Sequence, residues 1–309
     1  MKNTFIIGGN GFIGKHLIEE LQLTNRKLYV VSRSKCSIDS ITHIPVVSIF
    51  DESLERLLID NADEIICLFY ASKPKTSFNN PVKDIEENLA QTVRLFEIAS
   101  KSSRLKKFLY ISSGGTVYGN TKEEFICESH STKPISPYGI TKLAIENYAH
   151  LFNVIYNLPI VIIRPSNAYG PGQFAKDGQG FIAYAIQSIL SNIPVEIYGE
   201  TGTIRDYIYV QDLAKSLLAV LDMGMPGKIY NVGTQIGYSN IEIISIIQSL
   251  VSDYGYDVKV IHKLPRAFDV NRNVLDITAI KKDTCWYPTT TLKKGLLNTL
   301  NWYLKMKQV

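Results

Sequence analysis

Short apolar segments alternate with longer amphipathic segments along the first half of the chain. The apolar segments are rich in β-branched and aromatic residues, which is typical of buried strands in a parallel sheet. They predict strands at Thr4–Ile7, Lys27–Ser32, Ile44–Ile49, Glu64–Tyr70, Lys107–Ser112 and Pro159–Arg164. The segments between them repeat their apolar residues with a helical period, most clearly over Val82–Ser100 and from Tyr138 to Tyr156. This alternation predicts an α/β fold with a doubly wound parallel sheet.

A glycine-rich turn separates the first predicted strand from the first helix. Gly8, Gly11 and Gly14 stand in the segment Gly8-Gly-Asn-Gly-Phe-Ile-Gly14, which follows Ile7 directly. Glycines at this spacing allow a tight turn, a close approach of backbone N–H groups to a pyrophosphate, and close packing of helix on strand. An ordinary glycine-rich turn is the alternative reading. The strand–turn–helix context favours a Rossmann-like dinucleotide site.

The second half of the chain predicts a smaller α/β substrate-binding lobe over the carboxyl ends of the strands. We expect residues 1–168, together with about 210–235, to form the dinucleotide-binding domain. Residues 169–209 and 236–309 should form the lobe. Ligands of doubly wound sheets bind at the carboxyl ends of the strands, so the site is expected between these two parts.

The second predicted strand ends in Ser32-Arg33-Ser34. An acidic residue commonly stands here and binds the adenosine ribose. No acid is present, and a guanidinium can form bidentate charge-assisted bonds with a phosphate. The segment therefore favours NADP(H), with its 2′-phosphate, over NAD(H), which remains possible. An exposed loop arginine without a ligand is the alternative.

Tyr138 and Lys142 open the amphipathic segment that precedes the last of these strands. Residues four apart share one face of a helix, so the two side chains should lie together. An ammonium beside a phenol favours the phenolate, and the pair could then exchange a proton near neutral pH. Most Tyr-x-x-x-Lys pairs are solvated helix faces, so this pair gains weight only from the rest of the pattern.

Composition narrows the class of protein further. The chain has 309 residues, 45% hydrophobic and 20% charged, with a formal net charge of +4, which is ordinary for a globular protein. Its basic residues are scattered, so we expect no nucleic-acid partner. No apolar segment approaches membrane-spanning length, and no signal peptide is evident, so we expect no membrane partner and a cytoplasmic location. The four cysteines and five histidines form no metal-ligating pattern, and no metal is assigned.

Five motifs in order carry a resemblance to a known family. They are Gly8–Gly14, Ser112-Ser-Gly-Gly-Thr-Val-Tyr-Gly119, Tyr138-Gly-Ile-Thr-Lys142, Arg164-Pro-Ser-Asn-Ala-Tyr-Gly-Pro-Gly172 and Arg205-Asp-Tyr-Ile-Tyr-Val-Gln-Asp212. Together they resemble the extended short-chain dehydrogenase/reductase (NAD-dependent epimerase/dehydratase) superfamily in its nucleotide-sugar branch. The resemblance covers essentially the whole chain.

The resemblance implies a role for each matched residue. Tyr138 would be the acid/base at the sugar hydroxyl or ketone, while Lys142 would bind the nicotinamide ribose and lower the pKa of Tyr138. The implied cofactor-binding residues are Gly8, Asn10, Gly11, Phe12, Ile13, Gly14, Ser32, Arg33, Ser34, Ala71, Ser112, Tyr138, Lys142 and Pro165. Asn167, Arg205 and Arg266 would bind the diphosphate of a nucleotide-diphosphate sugar, and Tyr198 is a candidate contact for its base.

The chain departs from the family pattern at the third catalytic position. The family's Ser or Thr is Gly114 here, so the hydrogen bond to the sugar oxygen would come from Ser113, Thr116 or a water, with Thr116 the first choice. A second departure is Ser48, which replaces the acid expected near adenine. A third surrounds Arg266, where Arg-Ala-Phe-Asp269 replaces the usual Arg-Pro-Gly-Asp.

The leading hypothesis is NADPH-dependent reduction of the C4 ketone of a nucleotide-linked 4-keto-6-deoxyhexose, for example dTDP-4-dehydro-6-deoxyglucose, in bacterial surface-polysaccharide biosynthesis. The alternatives are a UDP-hexose or N-acetylhexosamine 4-epimerase with tightly bound NAD, and a non-catalytic NADP-binding regulatory protein. A 4,6-dehydratase is disfavoured, because Gly115-Thr116 stands where that reaction has an Asp-Glu pair. The family also implies a homodimer, with the helices over Val82–Ser100 and Tyr138–Tyr156 at its interface.

Overall fold

The strands of the first half follow the alternation expected from the sequence. The computed structural model describes residues 1–36, 38, 40–46, 48–49, 51–175, 180–266 and 270–307. Its strands are β1 (Lys2–Ile7), β2 (Arg26–Ser32), β3 (Thr42–Pro45), β4 (Glu64–Cys67), β5 (Lys107–Ile111), β6 (Ile160–Pro165), β7 (Asn167–Tyr169), β8 (Val195–Tyr198), β9 (Ile204–Tyr209), β10 (Ile229–Val232), β11 (Gly237–Ser239), β12 (Val260–Lys263) and β13 (Arg272–Asn273).

The helices fill the segments between the strands. They are α1 (Phe12–Gln22), α2 (Glu52–Asn61), α3 (Pro74–Asn79), α4 (Pro81–Asp84), α5 (Gln91–Ser100), α6 (Gly114–Val117), α7 (Pro137–Tyr156), α8 (Phe181–Leu190), α9 (Val210–Met223), α10 (Asn240–Val251), α11 (Thr278–Thr284) and α12 (Leu292–Lys307). A π-helical turn, Ile85–Ala90, joins α4 to α5, and a 3₁₀ turn, Ser252–Tyr254, follows α10. In the described part of the chain, no helix has both the length and the apolar character needed to cross a membrane.

A seven-stranded sheet in the order β10-β6-β5-β4-β1-β2-β3 forms the centre of the fold. All of its pairings are parallel. Apolar residues of α1 and α9 cover one face of the sheet, and those of α2, α5 and α7 cover the other. The predicted doubly wound, Rossmann-like sheet is therefore confirmed, and the strand order reverses between β1 and β4, where such sheets bind ligands.

Two smaller sheets lie in the second half of the chain. Strand β9 pairs with β7, β11 and β13, while β8 pairs with β12. Helices α8, α10 and α12 pack against these strands through a separate apolar cluster. The segment between these elements returns to the central sheet, because β10 pairs with β6. The division into two domains at the boundaries given above stays a prediction.

Several predicted boundaries are wrong for local reasons. The third strand was expected at Ile44–Ile49 but ends at Pro45, because its neighbour β2 ends opposite it at Ser32. The fourth was expected to reach Tyr70 but ends at Cys67, because its neighbour β1 ends opposite it at Ile7. The predicted helix over Val82–Ser100 contains the π-helical turn, which adds one residue and shifts the faces of the helix on either side.

Candidate active site

The glycine-rich turn forms the floor of the site where β1 ends and α1 begins. Gly8 has a φ of +79°, which a side chain would strain, and a Cβ there would lie 2.9 Å from the backbone N of Phe69. A Cβ on Gly14 would lie 2.2 Å from the carbonyl oxygen of Gly9, so the turn and the helix can pack this closely only as glycines. No side chain caps the first turn of α1. Its backbone N–H groups therefore suit a pyrophosphate, and the residues fit a dinucleotide.

The segment after β2 is folded against this turn. The Asn10 side chain donates hydrogen bonds to the Ser34 hydroxyl (2.8 Å) and the Lys35 carbonyl (3.1 Å). The Ser32 hydroxyl donates to the Ser34 carbonyl (2.8 Å). Arg33 is exposed beside them. These bonds hold together, next to the glycine turn, the residues that are candidates for binding the adenosine ribose. They are Asn10, Ser32, Arg33 and Ser34.

A cleft of about 460 Å³ runs along the carboxyl ends of the central strands. It is lined by most of the predicted cofactor residues together with others that were not predicted. The predicted cofactor residues are Gly8, Gly11, Phe12, Ile13, Gly14, Ala71, Ser112, Tyr138, Lys142 and Pro165. Ser113, a predicted catalytic residue, also lines the cleft, and the new residues include Tyr70, Ser72, Lys73 and Gln173. The cleft thus joins the glycine turn to the Tyr138 pair, as the sequence predicted.

Helix α7 carries Tyr138 in its first turn. The helix starts at Pro137, and the Ser136 hydroxyl caps it by accepting a hydrogen bond from the Gly139 N–H (3.1 Å). The ring of Tyr138 lies edge-to-face with that of Tyr70, with 4.8 Å between centroids. Burial, with a smaller contribution from the Asp84 carboxylate, raises the pKa of Tyr138, and a hydrogen bond with the Ser113 side chain opposes this rise.

Lys142 lies one turn further along the same face and is only 3% exposed. Its ammonium donates a hydrogen bond to the Ile111 carbonyl at 2.7 Å. Burial lowers the pKa of Lys142 to about 7, while Cys67, Glu146 and Asp84 act in the opposite direction. Lys142 was expected to lower the pKa of Tyr138, but the side chains of the protein raise this pKa instead, so the expectation is wrong. Burial of the phenol dominates, and the ammonium lies 5.9 Å from the ring centroid.

Packing explains why glycine occupies position 114. A Cβ there would lie 2.5 Å from Leu275 Cδ1 and 2.9 Å from the carbonyl oxygen of Arg164. The neighbouring Ser113 lies close enough to Tyr138 for its side chain to oppose the rise in the phenol pKa. Thr116 Oγ1 is buried and has no hydrogen-bond partner among the described residues. The geometry brings Ser113 to the Tyr138 hydroxyl and leaves Thr116 as a second candidate.

A buried ion pair beneath this loop was missed by sequence reasoning. Arg164 donates to the Glu146 carboxylate through Nε (3.0 Å) and Nη2 (2.5 Å), and both side chains are about 3% exposed. The Ser112 hydroxyl also bonds to Glu146. Tyr138, Lys142 and Glu146 are spaced by four residues, so continuation of the helical face beyond Lys142 could have identified Glu146.

The wall beside Tyr70 contains a second buried carboxylate that was not predicted. Asp84 is 1% exposed and bonds to the Ser72 hydroxyl. Asn88, in the π-helical turn, donates to the Asp84 carbonyl (2.8 Å) and accepts from the Ala71 N–H (2.6 Å). π-Helical turns are frequent at functional sites. The periodicity of the sequence gave no sign of this one.

The predicted substrate-binding residues lie beyond the cleft on β7, β8, β9 and the segment after β12. Asn167 Oδ1 would lie 3.1 Å from a Cβ on Gly115, so Asn167 adjoins the Ser113 loop. Arg205 is half-buried on β9. The Arg266 guanidinium lies over the Tyr198 ring, 3.9 Å from its centroid. The rest of the Arg266 motif, residues 267–269, and its expected Asp269 lie outside the described residues.

Fold and cleft together define a dinucleotide-binding protein of the Rossmann type. The model of the NAD dependent epimerase/dehydratase family matches residues 4–233, which is most of the chain. The chain belongs to this family.

Known proteins of similar sequence and structure include several epimerases. A Methanocaldococcus jannaschii protein provisionally named UDP-glucose 4-epimerase is 31% identical, over 96% of this chain and 97% of its own. The crystal structure of UDP-glucose 4-epimerase from Thermotoga maritima with UDP-glucose has a TM-score of 0.90 at 29% identity, over 99% of both chains. That of Thermus thermophilus UDP-glucose 4-epimerase with NAD has a TM-score of 0.89 at 27% identity, over 98% of this chain and 99% of its own.

Proposed function

We propose that this chain catalyses 4-epimerisation of a UDP-linked hexose or N-acetylhexosamine with NAD held in the cleft. The composition of the cleft lining carries the proposal. Tyr138, Lys142 and Ser113 line the cleft, and no Asp or Glu is among its described lining residues. A single acid/base residue is enough for 4-epimerisation, in which a proton is reversibly transferred at one sugar hydroxyl. A 4,6-dehydratase also eliminates water and needs a further acid/base residue for that step. The similarity to epimerases over nearly the whole chain supports the choice of reaction.

The chemistry divides between the cofactor and the side chains of the cleft. The nicotinamide would supply a reversible acceptor for the hydride at C4 of the sugar. Tyr138 would take the proton of the C4 hydroxyl as the ketone forms and return a proton when the alcohol is restored. Because burial raises the pKa of Tyr138, this step needs the opposing effect of the Ser113 side chain, which favours the phenolate.

The remaining predicted residues would hold the nucleotide diphosphate. Arg205 and Arg266 offer guanidinium forks that match phosphate oxygens. Asn167 stands next to the Ser113 loop, where it could place the diphosphate end of the sugar. Tyr198 offers an aromatic face for the base, with Arg266 already stacked on it.

The test is to assay the purified protein without added cofactor. Acid extraction should release NAD(H) in near-stoichiometric amount. UDP-glucose or UDP-N-acetylglucosamine should convert to its C4 epimer, followed by NMR of the sugar nucleotide. Protein that carries NAD(H) but interconverts neither substrate would contradict the proposed reaction. It would leave the cofactor-sensing regulatory protein as the alternative.

A second candidate is the NADPH-dependent 4-ketoreductase. The observation that favours it is the end of β2, where Ser32, Arg33, Ser34 and Lys35 include no carboxylate for ribose hydroxyls. Its test is the decrease in NADPH absorbance with dTDP-4-dehydro-6-deoxyglucose, with NADH in parallel. Stoichiometric oxidation of NADPH, together with absence of bound NAD, would favour the reductase over the epimerase.

We also propose that the chain forms a homodimer through α7 and the α4–α5 segment. Apolar residues are exposed on both, and they include Val82 (61%), Leu151 (45%), Val154 (58%) and Ile155 (60%). Adjacent exposed apolar residues are typical of interfaces. Sedimentation equilibrium at micromolar concentration should give twice the chain mass, and a monomer would refute the proposal.

A further inference from the structure

Lys142 is a buried ammonium with no carboxylate in direct contact. It is 3% exposed. Among the described residues, no salt bridge reaches its Nζ, whose hydrogen bond goes to the neutral Ile111 carbonyl. An unpaired buried charge is costly, so other groups must stabilise the ammonium.

Aromatic rings supply that stabilisation. The Lys142 Nζ lies 4.0 Å from the ring centroid of Tyr70, 5.0 Å from that of Tyr110 and 5.9 Å from that of Tyr138. The face of an aromatic ring is negative and attracts a cation within about 6 Å of the centroid. Tyr70 is the nearest of these rings and therefore contributes most.

Tyr70 is also the ring that links Lys142 to the proposed acid/base. It follows β4, lines the cleft and packs edge-to-face with Tyr138 at 4.8 Å. Tyr110 is a fully buried core residue of β5. Tyr70 is only partly buried at the edge of the core cluster, so a change there disturbs the packing of the sheet less than a change at Tyr110.

We propose that Tyr70 is a positioning residue of the active site, whose ring face holds the Lys142 ammonium charged and aimed at the Ile111 carbonyl. The role of Lys142 in turnover rests on the proposed function, but the contact between ring and ammonium does not. Among the described residues, no other aromatic ring lies as close to the Lys142 ammonium.

Other groups also act on the charge of Lys142. They are Cys67 at the end of β4, Glu146 one turn along α7, and Asp84 before the π-helical turn. Each favours the ammonium from a greater distance than a salt bridge. The Tyr70 hydroxyl itself bonds to Asp84 (3.5 Å), so the contribution of the ring is the difference between the ring-free variants and Tyr70→Phe, all of which lack this bond.

The experiment is an NMR pH titration of protein labelled with ¹³Cε-lysine, with a Lys142→Met sample to assign the signal. Tyr70→Leu keeps an apolar side chain, and so excludes water, but removes the ring. It should lower the pKa of Lys142 by about one unit. Tyr70→Phe keeps the ring face and is the matched control, with a titration close to that of the wild type. Tyr70→Met provides a second ring-free variant, and thermal melts check that each variant is folded.

Two results would overturn the proposal. Lys142 in both ring-free variants could titrate as in the wild type, so that the ring contributes nothing. Alternatively, Tyr70→Phe could shift the titration as much as Tyr70→Leu, which would assign the effect to the phenol hydroxyl and its contact with Asp84. Because no substrate is involved, neither result depends on whether the chain is an epimerase.

Discussion

The amino and carboxyl ends of the central sheet accommodate buried charge in opposite ways. At the amino end, Glu64 opens β4 and is 1% exposed. It accepts hydrogen bonds from Lys2 (2.8 Å), Thr4 (2.7 Å) and Arg26 (2.8 Å), and Arg26 also pairs with Asp222. Each charge in this cluster of Lys2, Arg26, Glu64 and Asp222 has a partner of opposite sign in contact.

At the carboxyl end, Arg164 and Glu146 also form a buried ion pair, but the two buried charges beside the cleft have no such partner. Lys142 and Asp84 are 3% and 1% exposed, and no salt bridge between described residues involves either one. Their contacts are a carbonyl, hydroxyls, an amide and aromatic rings. The pKa of Lys142 is lowered to about 7 as a result.

The contrast separates charges that stabilise the fold from charges available for chemistry. A fully paired carboxylate such as Glu64 holds strands together and stays ionised. A buried group with a strongly perturbed pKa in a cleft is a candidate for function. We therefore expect substitutions at the two ends to affect different properties, turnover at one and stability at the other.

The largest effect is expected for Tyr138→Phe. Loss of the phenol hydroxyl removes the proposed proton-transfer group, so turnover should fall by about 10²–10⁴-fold. The melting temperature and cofactor binding should remain unchanged, since the ring and its packing against Tyr70 are kept. Epimerase assays and cofactor titration on the same preparation provide the measurement, and turnover within tenfold of the wild type would contradict the assigned role.

At the amino end, Glu64→Ala should reduce stability without affecting chemistry. It leaves Arg26 and Lys2 without their shared buried carboxylate, which should cost about 3–5 kcal/mol in the free energy of unfolding. Urea denaturation measures this cost, and turnover per folded molecule should stay constant. Glu97→Ala, at an exposed pair with Arg94, is the matched control and should cost less than about 1 kcal/mol.

The pH dependence of this loss has a definite sign. Burial raises the pKa of Glu64, but the hydrogen bonds from Arg26, Lys2 and Thr4 outweigh it, and the pKa in the folded state lies below its usual value. Stabilisation by an acid of lowered pKa is present above the unfolded-state pKa of about 4.3 and is lost as the pH falls through the folded value. The stabilities of wild type and Glu64→Ala should therefore converge in acid, and a constant difference would contradict this account.

A smaller effect is expected at the third catalytic position of the family. Gly114→Ser restores the family's hydroxyl, but its Cβ would meet Leu275 and the backbone of Arg164. Overpacking of this kind costs about 1–3 kcal/mol. We expect lower stability without faster turnover. The double variant Gly114→Ser with Leu275→Ala removes the clash with Leu275 and leaves the one with the Arg164 carbonyl oxygen. A gain in turnover by the single variant would contradict the assignment to Ser113.

The parts of the site that depend on local sequence were predictable. The glycine turn, the four-residue spacing of Tyr138 and Lys142, and the parallel sheet each follow from patterns within one segment. Gly114 was recognised as a departure, but its cause was not, because Leu275 is distant in the chain and meets it only in the fold.

Groups defined by contacts between segments were missed. Tyr70 was expected inside a strand, although the chain leaves the sheet at Cys67 and turns the ring toward Lys142. In the sequence, Asp84 is a polar residue near the start of an amphipathic helix and gives no sign of being buried. In the structure it is buried, where Ser72 and Asn88 bond to its carboxylate. The predicted lowering of the Tyr138 pKa was also wrong. The sequence shows that Lys142 is a neighbour of Tyr138, but it does not show how deeply the phenol is buried.

The smallest expected effect concerns Arg33, an exposed charge that follows the carboxyl end of β2. If it binds a 2′-phosphate, Arg33→Ala should weaken NADPH binding by about fivefold and leave NADH binding unchanged, because an exposed ion pair contributes at most about 1 kcal/mol. Lys293→Ala on α12 removes an equal exposed charge elsewhere and controls for net charge. The difference in NADPH affinity between wild type and Arg33→Ala should decrease as salt is added, because salt screens exposed charges. Equal loss of affinity for NADPH and NADH would instead assign Arg33 to a part of the dinucleotide that both cofactors share. If neither affinity changed, the end of β2 would have no phosphate contact, and the case for NAD would be stronger.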